Sequence, residues 1–421
     1  MVVEIRNPIP VSEAIEKVMA YSLQGQKETI SFHACDNRRL AEPIIATNHI
    51  PSFDKSPYDG FAFRSADTTK ASSDNPVKFE VVEHIGAGQL AAKGLESGQA
   101  TRIMTGAQIP KGADCVAMFE DCQVYEKNNK SYMSIQQEMI KEQNIVKKGS
   151  EVEKGEVLIA TGTLINPGVK ALLATFGYHE VTVAKKPKVG VIATGTELLD
   201  VDEDLEPGKI RNSNAYMIAS QIIQAGGEYH YFGKLADEFD PSYQTIKETL
   251  DKVDILITTG GVSVGDFDLM PAIYEKLGAE VLFNKVAMRP GSVTTVAVRG
   301  SQLLFGLSGN PSACYVGFEL FARPILQRYL FNPKSHLKRV KAILTEDFPK
   351  PNPFTRFVRS YIDYEGSTIK VRLAGIDKSN VVTSLAHTNA FMVLPGGTEG
   401  YEAGTEVEVL LVHDTEGQEK F

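Results

Sequence analysis

Surplus positive charge is the first thing missing: among 421 residues, 44 Lys or Arg stand against 53 Asp or Glu, a formal net charge of −9. Non-specific phosphate binding needs clustered cations in excess, so a broad nucleic-acid grip is excluded. No run approaches the roughly 18 to 20 apolar residues that cross a bilayer, and no membrane partner is expected. A composition of 43% apolar and 23% charged residues is that of an ordinary globular chain. Cysteine is scarce. Cys35, Cys115, Cys122 and Cys314 are scattered, with six residues between the closest pair, which fits neither a CxxC redox turn nor a usual zinc spacing. They read as reduced thiols. The first stretch, MVVEIRNPIPVSEAIEKV, lacks the continuous apolar core of a secretory signal, and a cytoplasmic location is expected. The eight histidines form no close metal-ligand pair, and neither GxSxG nor a Walker pattern is present, so hydrolase and P-loop readings lose ground.

What is present is a chain long enough for two to four domains at about 100 to 200 residues each. Val11, Ala14, Ile15, Val18 and Met19 have the spacing of an amphipathic helix begun after Pro10, which needs a partner surface. From about residue 46 to 144 the texture changes to short β-prone runs broken by Gly-rich turns, the mark of a small β module. Segments 1–45 and 145–180 flank it and suggest a first domain that the module interrupts. Across 181–331, apolar runs (KVGVIAT, VDILITTGG) alternate with helical patterns, which predicts a mainly parallel sheet with crossover helices. Beyond 332, Pro-rich turns and β-prone runs at 357–362, 368–373, 390–394 and 407–412 predict a terminal all-β domain.

Three of the apolar runs end in turns: Thr194-Gly195-Thr196-Glu197, Thr259-Gly260-Gly261-Val262-Ser263-Val264-Gly265-Asp266, and Leu307-Ser308-Gly309-Asn310-Pro311. If the runs are parallel strands, these turns share the carboxyl edge where open α/β sheets bind ligands. Backbone N–H groups reached through glycines make an anion cradle. The bland reading of Ser308 to Pro311 is a capped helix with Pro in its first turn. That reading is weaker for Gly260 to Gly265, which hold more permissive backbone than a connector requires. Glu197, Asp237, Asp266 and Asp268 fall on the same predicted edge, a donor type that suits Mg²⁺ beside substrate phosphates; singly, each is explained by a helix dipole. Lys285 and Arg289, on an expected extended strand, would share a face toward one anion. Arg211, Asn212 and Ser213 are either ligand contacts or the cap of the next helix.

Taken with Phe53-Asp54-Lys55-Ser56-Pro57-Tyr58-Asp59-Gly60, Arg102-Ile103-Met104-Thr105-Gly106 and Lys285-Val286-Ala287-Met288-Arg289-Pro290-Gly291, these motifs run through nearly the whole chain. Their combination resembles the bacterial MoeA family of molybdopterin molybdenumtransferases, related to the C-terminal region of gephyrin. The resemblance implies a multidomain α/β chain: an elongated N-terminal domain (1–45 plus 145–180), an inserted β-rich module (46–144), a three-layer molybdopterin-binding α/β domain (181–331) and a C-terminal β-barrel (332–421). It implies a homodimer with the site between subunits, Asp59 and Thr105 facing the partner's α/β domain. It further implies Mg²⁺-dependent insertion of molybdate into adenylylated molybdopterin with release of AMP. The neighbours in that sequence are a molybdopterin adenylyltransferase upstream and a molybdoenzyme or cofactor carrier downstream.

By the same resemblance, Lys285, Arg289 and Arg359 contact oxyanion or phosphate, Asp237 and Asp268 hold Mg²⁺, and Glu197 is a further functional acid. Thr194, Gly195, Asn212, Ser213, Gly260, Gly261, Ser263, Gly265, Ser308, Gly309, Asn310, Pro311 and Ser384 line the cofactor substrate. Three departures stand out. Arg289-Pro290-Gly291-Ser292 replaces the frequent Lys-Pro-Gly-Lys, Ser308 replaces Pro, and Gly375-Ile376-Asp377-Lys378-Ser379-Asn380 replaces a Gly/Ser-rich loop. The rivals are a molybdopterin-binding scaffold or carrier without metal transfer, and a competence-damage-type nucleotide pyrophosphatase.

Overall fold

The computed structural model describes residues 7–21, 25–235, 238–261, 269–414 and 417–421. The chain divides into two compact units, one of residues 1–42, 161–167 and 180–421, the other of 43–160 and 168–179.

In the first unit, helix α1 (Val11–Ala20) buries Val11, Ala14, Ile15 and Val18, and that stripe joins a core that includes Val286, Phe318 and Phe321. The expected partner surface is thus part of the main core. Lys27–Ser31 pairs antiparallel with Glu180–Ala184.

The central sheet is built from β1 (Lys188–Thr194), β2 (Glu228–Leu235), β3 (Ile255–Thr259), β4 (Glu280–Phe283), β5 (Thr295–Arg299) and β6 (Gln302–Leu307), in the order β2-β1-β3-β6-β5-β4. The first four in that order run parallel. β5 pairs antiparallel with β6, and β4 antiparallel with β5, so only β5 runs against the others. Every residue of β3 is buried, as a strand covered on both faces requires. Ile255 and Ile257 join one core with residues of α2 (Ser213–Gln224) and α5 (Pro311–Gly317). Leu256, between them, joins the other with α3 (Phe239–Leu250) and α4 (Met270–Lys276). This period of two makes the domain three layers, helix on sheet on helix. The chain leaves β1 to one side for β2 and returns to the other side for β3, so the strand order reverses between β1 and β3.

Strands β7 (Arg339–Leu344), β8 (Thr355–Glu365), β9 (Thr368–Leu373), β10 (Ala390–Leu394) and β11 (Glu406–Leu411) close into a five-stranded barrel, because β8 pairs with both β9 and β10. Val358, Val371, Met392 and Val409 fill it. The sequence expectation omitted β7. Its Arg339 and Lys341 alternate with the apolar positions, which thins the apolar signal.

One expectation is corrected here. Lys285 to Arg289 is not one extended strand: only Met288–Arg289 is a strand, paired with the start of β8. Val286 makes one isolated parallel bridge with Ile9 and its own N–H goes to Ser292 O, so the segment changes partner before Met288 and forms no continuous ladder.

The second unit contains a six-stranded sheet in the order Cys115–Met118, Gly60–Phe63, Gln99–Ile103, Val77–Ile85, Lys130–Ile135, Cys122–Lys127. Its core includes Phe61, Phe63, Phe79 and Met133, with Phe63 and Phe79 stacked at 4.6 Å.

Candidate functional site

Where the strand order reverses, the carboxyl ends of β1 and β3 lie side by side, and a crevice is expected there. The Thr194 hydroxyl, at the end of β1, donates to Thr259 O at 3.1 Å. The Gly260 N–H donates to Leu307 O at the end of β6, 2.9 Å away. Gly260 and Gly261 have φ of +88° and +63°. A Cβ at Gly260 would stand 2.7 Å from the Thr194 carbonyl oxygen, so the backbone crosses there only because the side chain is absent.

These turns edge a cavity of 990 Å³. Thr194, Gly195 and Glu197 come from the first turn, Arg211, Asn212 and Ser213 from the entry to α2, Gly260 and Gly261 from the second turn, and Ser308 to Pro311 from the third. Apolar wall comes from Leu269, Met270 and Ile273 of the α4 segment. Asn214 joins two of these parts, its Nδ2 donating to Gly309 O at 2.8 Å. Asn212 is committed at both ends of its carboxamide: Oδ1 accepts from the Ala215 N–H at 3.1 Å and Nδ2 donates to the Tyr231 hydroxyl at 3.0 Å. It is therefore a helix cap as well as wall. Asn310 begins α5 with no side-chain cap bond, which leaves its carboxamide exposed to the cavity. The Arg211 guanidinium donates to Glu203 O at 3.0 Å. Glu203 is held below the ordinary carboxyl range by the Asp200 N–H and then by Lys234.

The barrel contributes Asn380 and Val382 to the same cavity. Behind their loop, Arg359 is 2% exposed. Its Nε donates to Ser384 Oγ at 2.9 Å and its Nη2 to Ile376 O and Lys378 O, each at 3.0 Å. Its buried Nη1 has no hydrogen-bond partner among the described residues. Burial pushes the Arg359 pKa below the ordinary arginine value, and Asp377 opposes that shift.

In the second unit, Asp59 Oδ1 accepts from both the backbone N–H and the hydroxyl of Thr105, each at 2.7 Å. The Thr105 N–H, then its hydroxyl, hold the carboxyl below its usual range, with a smaller contribution from Arg102.

Three family models match: the MoeA N-terminal region (domain I and II) over residues 9–177, a probable molybdopterin binding domain over 190–328, and the MoeA C-terminal region (domain IV) over 341–412. The chain is similar to the molybdopterin molybdenumtransferase of Bacillus subtilis (strain 168), 58% identical over 416 residues, 99% of this chain and 97% of that one. That of Staphylococcus aureus (strain Mu50) is 49% identical over 420 residues, 100% and 99% of the two chains. The chain belongs to the MoeA family. Its fold is similar to the crystal structure of the molybdopterin biosynthesis MoeA protein of Pyrococcus horikoshii, with a TM-score of 0.85 at 30% identity, covering 96% of this chain and 99% of that one.

This MoeA chain brings together the cavity residues predicted at the three turns and at the start of α2. Lys285, Arg289, Arg359 and Ser384 are not among the cavity's lining residues, and Asp59 and Thr105 belong to the other unit. Asp237, Asp268, Ser263 and Gly265 lie outside the described residues. Among the described residues no group of three or more His, Cys, Asp or Glu is arranged to hold a metal. Sequence reasoning missed Asn214 and Asn380. For Asn214 a signal existed in the Asn212-Ser213-Asn214 run; for Asn380 none did, because its place depends on barrel closure.

Proposed function

We propose that this chain is a molybdopterin molybdenumtransferase that inserts molybdate into adenylylated molybdopterin and releases AMP, in the cytoplasm, as the last step of molybdenum cofactor assembly. The observation that carries the reading is the switch-point cavity, in which three Gly-containing turns from β1, β3 and β6 converge. Molybdenumtransferases similar over almost the full chain support the choice of chemistry. The polar turns suit the phosphate-bearing parts of the substrate and the α4 wall suits a ring system.

Arg359 is assigned to the oxyanion or phosphate of the substrates, and Ser384, which accepts its Nε–H, to the lining of the cofactor substrate. A buried guanidinium with one unsatisfied donor is costly unless an acceptor arrives, and an anion meets that need with a charge-assisted bond. Lys285 and Arg289 are assigned to the same negative substrates. The reaction needs no protein nucleophile: an oxygen of molybdate attacks the pterin-side phosphorus as its bond to the AMP oxygen breaks, and AMP leaves with those electrons; the Mo–O bond to that phosphate then breaks as the two dithiolene sulfurs bond molybdenum, their thiol protons leaving with one displaced oxo group as water. The chain's part is to hold the two anions in line and neutralise them.

Glu197 is a hard oxygen donor on the cavity wall, a donor type compatible with Mg²⁺, which commonly takes one or two carboxylates plus substrate phosphates. Asp237 and Asp268 are assigned to hold it, with Glu197 a further acid on the wall, and the ion would supply charge neutralisation at the phosphates. Asp59, fixed by Thr105, is assigned to the site of the partner in a homodimer, within the four-domain division given by sequence. A molybdopterin adenylyltransferase would supply the substrate, and a molybdoenzyme or carrier would receive the product.

The test is reconstitution. Purified protein with adenylylated molybdopterin, Mg²⁺ and molybdate should activate an apo-molybdoenzyme, and excess chelator should stop it until Mg²⁺ is restored. Tight pterin binding with no activation under any of these conditions contradicts the reading and favours a scaffold.

A further inference from the structure

Asn380 and Val382 are the barrel's contribution to the cavity wall, and they sit in and just after the loop where this sequence departs from a Gly/Ser-rich pattern. A glycine-rich loop would be free to move. This one is anchored on two sides. On the barrel side, the Asp377 side chain is only 8% exposed, with Lys350 Nζ at 3.1 Å and Arg356 Nε at 3.8 Å from its Oδ2, and Arg359 donates to the carbonyls of Ile376 and Lys378. On the α/β side, the Ser312 N–H donates to Ser379 O at 3.1 Å and its hydroxyl to Val381 O at 2.8 Å.

Ser312 follows Pro311 of the third cavity turn, so the loop is tied to the turn it faces. Between the anchors, Asn380 is exposed, and its carboxamide makes no hydrogen bond among the described residues. Val382 is 47% exposed although apolar. An anchored backbone presenting one uncommitted carboxamide and one bare apolar face to a cavity is arranged for a ligand.

We propose that Asn380 is a specificity-determining contact that reads the pterin end of the substrate, with Asp377 as its positioning residue. The inference rests on the reading of the cavity as the molybdopterin pocket. A carboxamide offers a donor and an acceptor in one plane, which matches an adjacent donor and acceptor, such as N3–H and O4, on a pterin's pyrimidine edge. Val382 supplies apolar contact beside it. A phosphate asks only for donors and gives the amide oxygen nothing to accept.

The experiment is equilibrium binding of two probes, adenylylated molybdopterin and AMP, to the full-length chain. Asn380→Ala should weaken binding of the pterin-bearing probe by about tenfold, the cost of one lost hydrogen bond in a site built for it. AMP affinity and melting temperature should not change. Asp377→Ala should lower pterin affinity in the same way, and Asp377→Glu should restore most of it. Unchanged pterin affinity in Asn380→Ala overturns the proposal, as does a parallel loss of AMP affinity, which would place the contact on the nucleotide. Wild-type protein that binds AMP but not the pterin-bearing probe overturns the pocket reading and this inference with it.

Discussion

Thr105 gives both of its donors to one oxygen of Asp59, so its role is to fix the carboxylate in charge and direction. Thr105→Val keeps the backbone bond and removes the hydroxyl bond. The Asp59 pKa should then rise toward the ordinary aspartate value, read by carboxyl-carbon NMR titration. Turnover should fall about tenfold, the scale of one charge-assisted bond, whereas Thr105→Ser should stay near wild type. An unmoved titration in the Val variant contradicts the role. Because the folded pKa is depressed, the Asp59 contribution is present above the unfolded pKa and is lost as pH falls through the folded one; the Val variant loses it at higher pH. At this scale the sequence was legible in residue type and not in commitment. The sequence offers Asn212 as a ligand contact or a cap, and only the three-dimensional contacts show its carboxamide used at both ends.

At the scale of elements, the turn after β3 depends on absent side chains. Gly260→Ala sets an L residue at φ +88° and drives a methyl into Thr194. The cost should be about 1–3 kcal/mol of stability from the backbone alone, measured by urea unfolding, with loss of pterin binding as the turn gives way. A variant as stable as wild type would mean the turn is not held as described. Elements with a strong period were readable: the α1 stripe, the buried run of β3, the barrel strands β8 to β11. Those set by tertiary contacts were not. Lys285 to Arg289 reads as a strand by alternation, yet only a single bridge to Ile9 and the pairing of Met288–Arg289 with β8 are formed along it. β7 was hidden because charges on its outward face dilute its apolar positions.

Across the whole molecule, the −9 net charge excluded nucleic acid without indicating where individual charges act. One buried base carries a global consequence. His336 is 5% exposed, and burial, reinforced by Arg328 and Arg323, pushes its pKa down to about 4. A histidine kept neutral in the fold binds its proton first in the unfolded chain. Stability should therefore fall as pH drops from about 6.5 toward 4, by roughly 3 kcal/mol from this group. Urea unfolding of wild type and His336→Phe across that range should show the variant losing less; equal slopes contradict it. The assignment of the second unit's Asp59 to a partner's cavity also belongs to this scale, as does the transferase reading itself. That reading is tested most directly by following AMP release from adenylylated molybdopterin with and without molybdate. Release that depends on molybdate and saturates with it is expected. AMP release at the same rate without molybdate, or none with it, contradicts the transferase reading.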